Sequence, residues 1–230
     1  MPLGTIVNVL AVLLGSAAGL LVRRALPDKV RQIVFQGIGL FTVFYGVQMA
    51  LKLEPGVTHA LALIFSLLIG GVAGELLDLQ ARLEALGDRF KARVRNAGER
   101  FTEGMVTAFL IFCVGPMTIV GALDDGLRGD HALLFTKSTL DGFMSIALAS
   151  TYGLGVPFAA VPLFIFQYAI TLLGLGARQV FTDVMVHQLT AVGGVLILGL
   201  GLNLLDVAKL RLTNLLPALL VVALLTVLLG

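Results

Sequence analysis

Apolar runs about as long as a membrane-spanning helix recur along the whole chain, separated by mostly short polar connections. An α-helix needs about 20 apolar residues to cross ~30 Å of hydrocarbon. The pattern predicts eight spans, at residues 3–22, 30–51, 57–77, 103–123, 132–151, 156–177, 185–205 and 213–230. We therefore expect an all-α, polytopic transmembrane helical bundle that forms a single domain over residues 1–230.

The composition agrees with this pattern and excludes a soluble globular domain. The chain is 58% hydrophobic and 13% charged, with a mean hydropathy of +1.00, whereas soluble domains carry about 25% charged residues. The first apolar run has no Lys or Arg before it, so we interpret it as a first span and not as a cleaved signal peptide. Cys113 is the only cysteine, which excludes an intrachain disulfide and a thiolate-only metal cluster.

The basic residues are distributed unevenly over the connections. The odd-numbered connections and their flanks hold twelve Lys and Arg residues, and the even-numbered connections hold three. Basic loops are retained on the cytoplasmic side of the membrane, so both termini are predicted to lie outside. The sixth span is the least regular, because Gly153, Gly155, Pro157 and Pro162 favour a broken or re-entrant helix there.

The long cytoplasmic connector, residues 78–100, has the pattern of an amphipathic helix. Apolar residues recur at steps of three and four, with basic residues between them, at Leu79, Leu83, Leu86, Phe90 and Val94. Three interpretations remain open. The helix lies on anionic lipid headgroups, it extends the third span and packs on a partner, or it is a solvated connector with one apolar face.

Residues 1–77 and 156–230 are related by a weak internal repeat. An offset of 155 residues superposes spans 1–3 on spans 6–8 and pairs Gly39 with Gly194 and Gly46 with Gly201. Five crossings separate span 1 from span 6, so the two copies would run in opposite directions. Inverted repeats of this kind build many secondary transporters, whose sites lie near the midplane where the repeats meet.

Lys137 and Asp141 are the strongest candidates for function. They lie four residues apart on one face of the fifth span, in line with Ser138 and Ser145. Charged groups at this depth require pairing or hydration and usually mark a substrate or ion pathway. The functional interpretation makes Asp141 a titrating or cation-binding carboxylate with Lys137 as its partner. The alternative is a static ion pair that only fixes helix packing.

Gly115 and Pro116 interrupt the middle of the fourth span. Proline cannot donate to the carbonyl of Phe112, four residues earlier, and its ring opens that turn. The freed carbonyl, beside Cys113 and Thr118, is a candidate ligand surface for a cation or a solute. The alternative is an ordinary kink whose carbonyl is satisfied by a neighbouring helix or by a threonine hydroxyl.

Amide side chains in other spans complete the candidate site. Asn8 in span 1 and Gln167 in span 6 are included as substrate or ion ligands, although such amides often only bridge helices. The acidic cluster Asp124, Asp125 and Asp130, together with Arg128 and His131, is interpreted as a solvated turn. The alternative is an entrance at which the carboxylates raise the local concentration of cations. The three histidines show no metal-binding spacing. No motif for a nucleotide, a catalytic nucleophile, a cofactor or a nucleic acid is present, so an enzyme is not expected.

Several segments together resemble a known family. They are Gly4-Thr-Ile-Val-Asn8 with Gly15-x-x-x-Gly19, Phe112-Cys-Val-Gly-Pro-Met-Thr-Ile-Val-Gly-Ala122, Asp125-Gly-Leu-x-Gly-Asp130, Lys137-Ser-x-Leu-Asp-Gly142 and Ser145-Ile. Taken together, they resemble the domain-of-unknown-function 554 family of bacterial inner-membrane proteins, over essentially the whole chain. The resemblance implies a small multi-pass protein of the bacterial cytoplasmic membrane, described as a membrane or transport protein without an agreed substrate.

Three functional hypotheses follow. The first is a small secondary transporter or ion-coupled permease for a small solute or monovalent ion, with a midplane polar site on spans 4 and 5. So small a bundle is expected to form a homodimer that shields its polar groups from lipid. The second hypothesis is a passive channel built from the same helices. The third is a membrane scaffold that docks a partner through residues 79–100 and uses the Lys137–Asp141 pair only for packing.

Overall fold

A computed structural model describes residues 3–25, 27–95, 97–113, 116–174 and 182–229. Every regular element in this part of the chain is helical. The elements are α1 (Leu3–Ala25), α2 (Asp28–Ala50), α3 (Val57–Leu76), α4 (Leu79–Arg93), α5 (Phe101–Cys113), α6 (Pro116–Arg128), α7 (Ala132–Tyr152), α8 (Gly155–Phe158), α9 (Ala160–Gly174), α10 (Asp183–Leu204), a 3₁₀ helix (Leu212–Leu215) and α11 (Ala218–Leu229).

The helices fall where the apolar runs predict them. Over the described ranges, five helices are long and apolar enough to cross a membrane: Leu3–Arg23, Val57–Leu76, Ala132–Tyr152, Gly155–Leu172 and Asp183–Leu204. A sixth is counted if the bent pair α5 and α6 forms one span. The all-helical class is confirmed, and the count of eight spans stays a prediction.

The fourth predicted span is broken where its proline predicts a break. α5 ends at Cys113 and α6 begins at Pro116, and the axes of the two helices are bent by 64°. Proline removes a backbone donor and its ring displaces the preceding turn, which is the usual cause of so sharp a bend. The two helices therefore form either a broken span or a re-entrant segment.

The sixth predicted span is interrupted at its start. Gly153 caps α7 with a φ of 87°, a left-handed conformation that glycine adopts without steric cost. The short helix α8 follows, and Ala159 separates it from α9. Pro157 and Pro162 lie in the first turns of α8 and α9, where a missing backbone N–H breaks no helical hydrogen bond.

The chain divides into two compact units. The first, residues 1–37, 84–113 and 117–178, is centred on the packing of α1 against α7. A Cβ atom on Gly15 would lie 2.1 Å from the carbonyl oxygen of Gly142, and one on Gly19 would lie 2.4 Å from that of Ile146. Only glycine permits this approach, and stripes of small residues commonly let membrane helices pack closely.

The second unit, residues 38–83, 114–116 and 179–230, contains an antiparallel pair formed by α2 and α10. Glycines on each helix contact the other helix in a reciprocal pattern. Gly39 meets Leu204 and Leu205, Gly46 meets Leu198 and Gly194, Gly194 meets Met49 and Ala50, and Gly201 meets Val43. In the same unit α3 packs antiparallel against the 3₁₀ helix and α11, where Gly70 meets Ala218 and Gly74 meets Asn214.

The predicted amphipathic connector is the helix α4. Its apolar residues are half-buried against this chain, because the ring of Phe90 lies 5.4 Å from that of Phe158 and Gly87 lies beside Thr102 and Met105. Asp88 accepts a hydrogen bond of 2.6 Å from the Thr102 hydroxyl. The apolar face is therefore largely occupied by the protein itself, while the basic residues Arg82, Arg89 and Arg93 are exposed.

Candidate functional site

The buried ion pair predicted on the fifth span is present on α7. The Lys137 ammonium donates to the Asp141 carboxylate, and the two residues are only 5% and 7% exposed. A lone charge at this depth in a bilayer would cost several kcal/mol. Each group therefore neutralises the other, and the pair introduces a strong dipole but no net charge. This arrangement suits both a coupling pair and a packing pair.

Two amides from other helices lie at the same place. The Asn8 side chain on α1 donates to the Gln167 side chain on α9 at 3.2 Å, and both residues are fully buried. The Asn8 side chain also lies close to the Asp141 carboxylate. Cys113, at the end of α5, lies close enough to interact electrostatically with both members of the ion pair. Three helices, α1, α7 and α9, thus contribute to one buried polar cluster, with the Cys113 thiol of α5 nearby.

This cluster, Asn8, Lys137, Asp141 and Gln167, is not internally satisfied. The Asn8 Oδ1 atom and the Gln167 Nε2 atom are buried without a hydrogen-bond partner. Leaving one buried acceptor or donor unpaired costs about 1–3 kcal/mol, and buried polar groups in proteins are nearly always paired with protein or ordered water. The cluster therefore presents one acceptor and one donor that suit a small polar molecule.

Two hydroxyls on α1 extend the polar surface. Thr5, Asn8 and Ser16 recur at helical spacing on the buried face of α1, and the hydroxyls of Thr5 and Ser16 are also without a partner. Thr5 and Ser16 were not among the predicted site residues, because a single hydroxyl in an apolar run is common. The signal that would have identified them is their shared helical face with Asn8.

Ser138 and Ser145, the two predicted site residues that flank the ion pair, are buried on α7. The Ser138 hydroxyl donates to the Leu134 carbonyl at 2.6 Å, and the Ser145 hydroxyl donates to the Asp141 carbonyl at 2.7 Å. Each donor is therefore used within the helix. What the two hydroxyls can offer a ligand is the remaining lone pairs of their oxygens.

The predicted opening at Gly115-Pro116 is only partly covered by the structure. Gly115 lies outside the described residues, and of Pro116 only its position as the first residue of α6 is described. The Thr118 hydroxyl donates to the Phe112 carbonyl at 2.8 Å, and the pair is buried. Of the two interpretations left open for this carbonyl, the geometry matches the kink whose carbonyl accepts a hydrogen bond from a threonine hydroxyl. The second lone pair of the Phe112 oxygen is left for another donor.

The acidic cluster at the end of α6 and in the turn that follows is stabilised by its own contacts. Asp125 is buried, so the prediction of a solvated turn is wrong for this residue. Asp130 accepts a 3.0 Å hydrogen bond from the backbone N–H of Ala132 at the start of α7, and Asp125 is bonded to His131. Asp124 lies 3.8 Å from Arg128. Most of these side chains are therefore used in forming the turn. In the described part of the chain, no group of three or more His, Cys, Asp or Glu side chains is placed to hold a metal ion.

The fold and the buried polar cluster define the class of protein: a helical membrane protein with polar groups inside its apolar interior. The chain matches the family model described as "Protein of unknown function (DUF554)" over residues 3–227. It therefore belongs to that family, and the predicted resemblance is confirmed.

Two relatives match over nearly their whole length. The uncharacterised membrane protein YdfK of Bacillus subtilis is 34% identical over 95% of this chain and 93% of its own. The uncharacterised protein YqgA of Escherichia coli is 29% identical over 96% of this chain and 94% of its own. No solved structure matches the chain. The comparisons support a membrane protein of unknown function, whose activity must be argued from its site.

Proposed function

We propose that this protein is a small secondary transporter or ion-coupled permease whose central site is the buried polar cluster. The single observation that carries this proposal is the pair of unpartnered atoms, Asn8 Oδ1 and Gln167 Nε2, beside a buried ion pair. Buried polar atoms are expected to pair with protein, water or a ligand, and these two have no protein partner. A small polar solute satisfies them when it binds and leaves them free when it departs.

Each component has a role in this proposal. Asp141 is the coupling carboxylate, and Lys137 is its charged partner. Asn8 and Gln167 orient the solute by one accepted and one donated hydrogen bond. The proposed substrate is a small polar solute or a monovalent ion, and a coupling ion would compete with Lys137 for the Asp141 carboxylate.

The inverted repeat is part of the same proposal. An offset of 155 residues maps Gly39 onto Gly194, and it maps Leu204 and Leu205 onto Met49 and Ala50. The contacts of Gly39 on α10 are therefore reproduced by the contacts of Gly194 on α2. The Gly46–Leu198 and Gly201–Val43 contacts are exchanged in the same way. Any antiparallel helix pair exchanges its contacts in this way, so the support for two inverted copies comes from the glycines that occupy equivalent positions of α2 and α10. Inverted copies related by a pseudo-two-fold axis build many transporters.

The cellular setting follows from the sequence. The protein is proposed to cross the bacterial cytoplasmic membrane eight times, with both termini outside, and to act as a homodimer. The scaffold alternative loses support, because the apolar face of α4 that would dock a partner packs against α5 and α8 of the same chain.

The experiment begins with a screen of small solutes and ions for those that raise the thermal stability of the purified protein in detergent. Active compounds are then tested for flux in proteoliposomes, with and without an ion gradient. We expect at least one polar solute to stabilise the protein and to accumulate against its own gradient. Flux that only dissipates the gradient of the solute itself would indicate a channel. The absence of both stabilisation and flux would contradict the transporter and the channel hypotheses alike.

A matched pair of variants assigns the flux to the site. Gln167→Leu removes the buried amide, and Gln48→Leu makes the same change at an exposed amide on α2. We expect Gln167→Leu to abolish the solute-dependent stabilisation and the flux, and Gln48→Leu to retain both. Normal flux in folded Gln167→Leu protein would exclude the cluster as the site.

A further inference from the structure

The membrane-facing surface of the first unit carries an apolar groove that the proposed transport site does not use. The groove has a volume of about 430 Å³ and is lined by Val9 and Leu13 of α1 and by Phe158, Val161, Phe164 and Ile165 of α8 and α9. Its lining is almost entirely apolar, and Leu13, Val161 and Ile165 are exposed. We call this surface the lipid groove.

The dimensions of the lipid groove suit one acyl chain. Along α8 and α9 it extends from Pro157 to Ile165, which corresponds to about 12 Å at a rise of 1.5 Å per residue. One leaflet contributes about half of the ~30 Å hydrocarbon thickness. The groove therefore runs over nearly the depth of a single leaflet, and its lining carries nothing that would orient a polar ligand.

Basic residues of α4 lie near one end of the groove. Phe158, which lines that end, contacts Phe90 of α4, with ring centroids 5.4 Å apart. Arg89 and Lys91 flank Phe90 in sequence, and Arg93 follows within one turn. The segment 79–100 holds six basic residues against three acidic ones. Arg89 and Arg93 are exposed, so their guanidinium groups are available at the surface beside the end of the groove.

We propose that the lipid groove binds an anionic phospholipid from the leaflet on the α4 side. One acyl chain occupies the groove, and the phosphate accepts hydrogen bonds from Arg89 and Arg93. Arginine suits this role because its planar donors pair with phosphate oxygens in a bidentate manner. Basic segments at the membrane surface bind anionic headgroups for the same reason. Apolar burial gives the site its affinity, and the two arginines give it its selectivity.

Charge decides between a lipid and a second copy of the chain as the occupant. A two-fold dimer contact uses the same surface on both partners, so a copy placed on the groove would bring one basic α4 segment towards another. Like charges across an interface oppose association. An anionic lipid, by contrast, gains attraction from the same residues.

Native mass spectrometry of the purified protein tests the proposal, with phosphatidylglycerol and phosphatidylcholine of identical acyl chains added separately. We expect phosphatidylglycerol to bind about thirtyfold more tightly, the scale expected for two basic side chains at an anionic headgroup. The double variant Arg89→Gln, Arg93→Gln should lower phosphatidylglycerol binding to the phosphatidylcholine level. Lys209→Gln, a control at an exposed lysine of the second unit, should leave the preference unchanged.

A second variant tests the apolar part of the site. Val161→Trp fills the groove from an exposed position and should weaken both lipids, whereas Leu220→Trp, on an exposed face of α11, should weaken neither. Equal binding of the two lipids by the wild type would overturn the proposal, as would an anionic preference that survives the double arginine substitution. Loss of a dimer in Val161→Trp without any change in lipid binding would assign the groove to a second copy and overturn it as well.

Discussion

Lys137 and Asp141 illustrate what a single residue contributes to this protein. Their four-residue spacing on one span predicted a pair on a shared helical face, and the structure shows them bonded to each other. The pair alone is consistent with packing as well as with transport. In the proposed function, the unpartnered atoms of Asn8 and Gln167 beside it are the donor and acceptor that a bound solute would pair.

Single and double substitutions of the ion pair separate the two roles. Removing one partner leaves a buried charge without compensation, so Asp141→Leu or Lys137→Met alone should destabilise the protein by about 3–5 kcal/mol. The double variant removes both charges and should recover most of that loss. If the pair acts in transport, the stable double variant should still be inactive in proteoliposome flux. A double variant that is both stable and active would show that the pair is structural.

Thr118 provides a second prediction at this scale. Its hydroxyl satisfies the Phe112 carbonyl that the helix break leaves free, so Thr118→Val should cost about 1–3 kcal/mol. That loss should appear as a fall of several degrees in the thermal midpoint in detergent. Thr118→Ser keeps the hydroxyl and should restore the midpoint. Equal midpoints for Thr118→Val and the wild type would show that the carbonyl has another donor.

At the scale of helices, glycines determine which elements pack together. Gly15 of α1 lies against the backbone of Gly142 of α7, yet the two positions are not equivalent. A Cβ on Gly15 would lie 2.1 Å from a backbone carbonyl oxygen, whereas one on Gly142 would meet its nearest atom at 3.4 Å, an ordinary contact. The contact therefore does not tolerate a methyl group on Gly15, whereas it does tolerate one on Gly142.

This asymmetry predicts opposite outcomes for two alanine substitutions. Gly15→Ala forces α1 away from α7 and should lower the thermal midpoint by several degrees, since overpacking costs about 1–3 kcal/mol or more. Gly142→Ala, in the same interface, should leave the midpoint nearly unchanged. Thermal unfolding followed by size-exclusion chromatography measures both. A Gly15→Ala midpoint equal to that of Gly142→Ala would mean that the two helices are not so closely packed.

The proposed inverted repeat predicts equal behaviour of equivalent glycines. Gly46 and Gly201 are related by the 155-residue offset, and a Cβ on either would come within 2.3 to 2.6 Å of the facing helix. Gly46→Ala and Gly201→Ala should therefore lower the thermal midpoint by similar amounts. Gly37→Ala, also on α2, meets nothing within 4 Å and should be neutral or slightly stabilising. A large effect of one substitution and none of the other would contradict the repeat.

At the scale of the whole molecule, the distribution of basic residues predicts the orientation in the membrane. Lys52 and Lys209 are exposed residues on opposite sides in the proposed topology. Replacing each by cysteine, in a Cys113→Ala background, gives two otherwise similar probes. A membrane-impermeant maleimide should label Lys52→Cys in intact cells and Lys209→Cys only after permeabilisation. The reverse pattern would invert the topology.

The sequence by itself determined the features that depend on local physics. Runs of apolar residues located the helices, because a backbone inside lipid must satisfy its own hydrogen bonds within each segment. Pro116 located the break between α5 and α6, and the spacing of Leu79, Leu83, Leu86 and Phe90 located α4. The one-turn separation of Lys137 and Asp141 was enough to predict that they share a helical face.

Only the tertiary structure decided what depends on contacts between distant segments. That Asn8 meets Gln167, 159 residues away, depends on α1 and α9 packing together, and apolar helices in a membrane give no sequence signal for the choice of neighbour beyond small residues. The same holds for Thr5 and Ser16, whose hydroxyls become candidate ligand contacts only because that face of α1 is buried. Periodicity fixes where helices form and which face is polar, whereas close packing decides which polar faces meet.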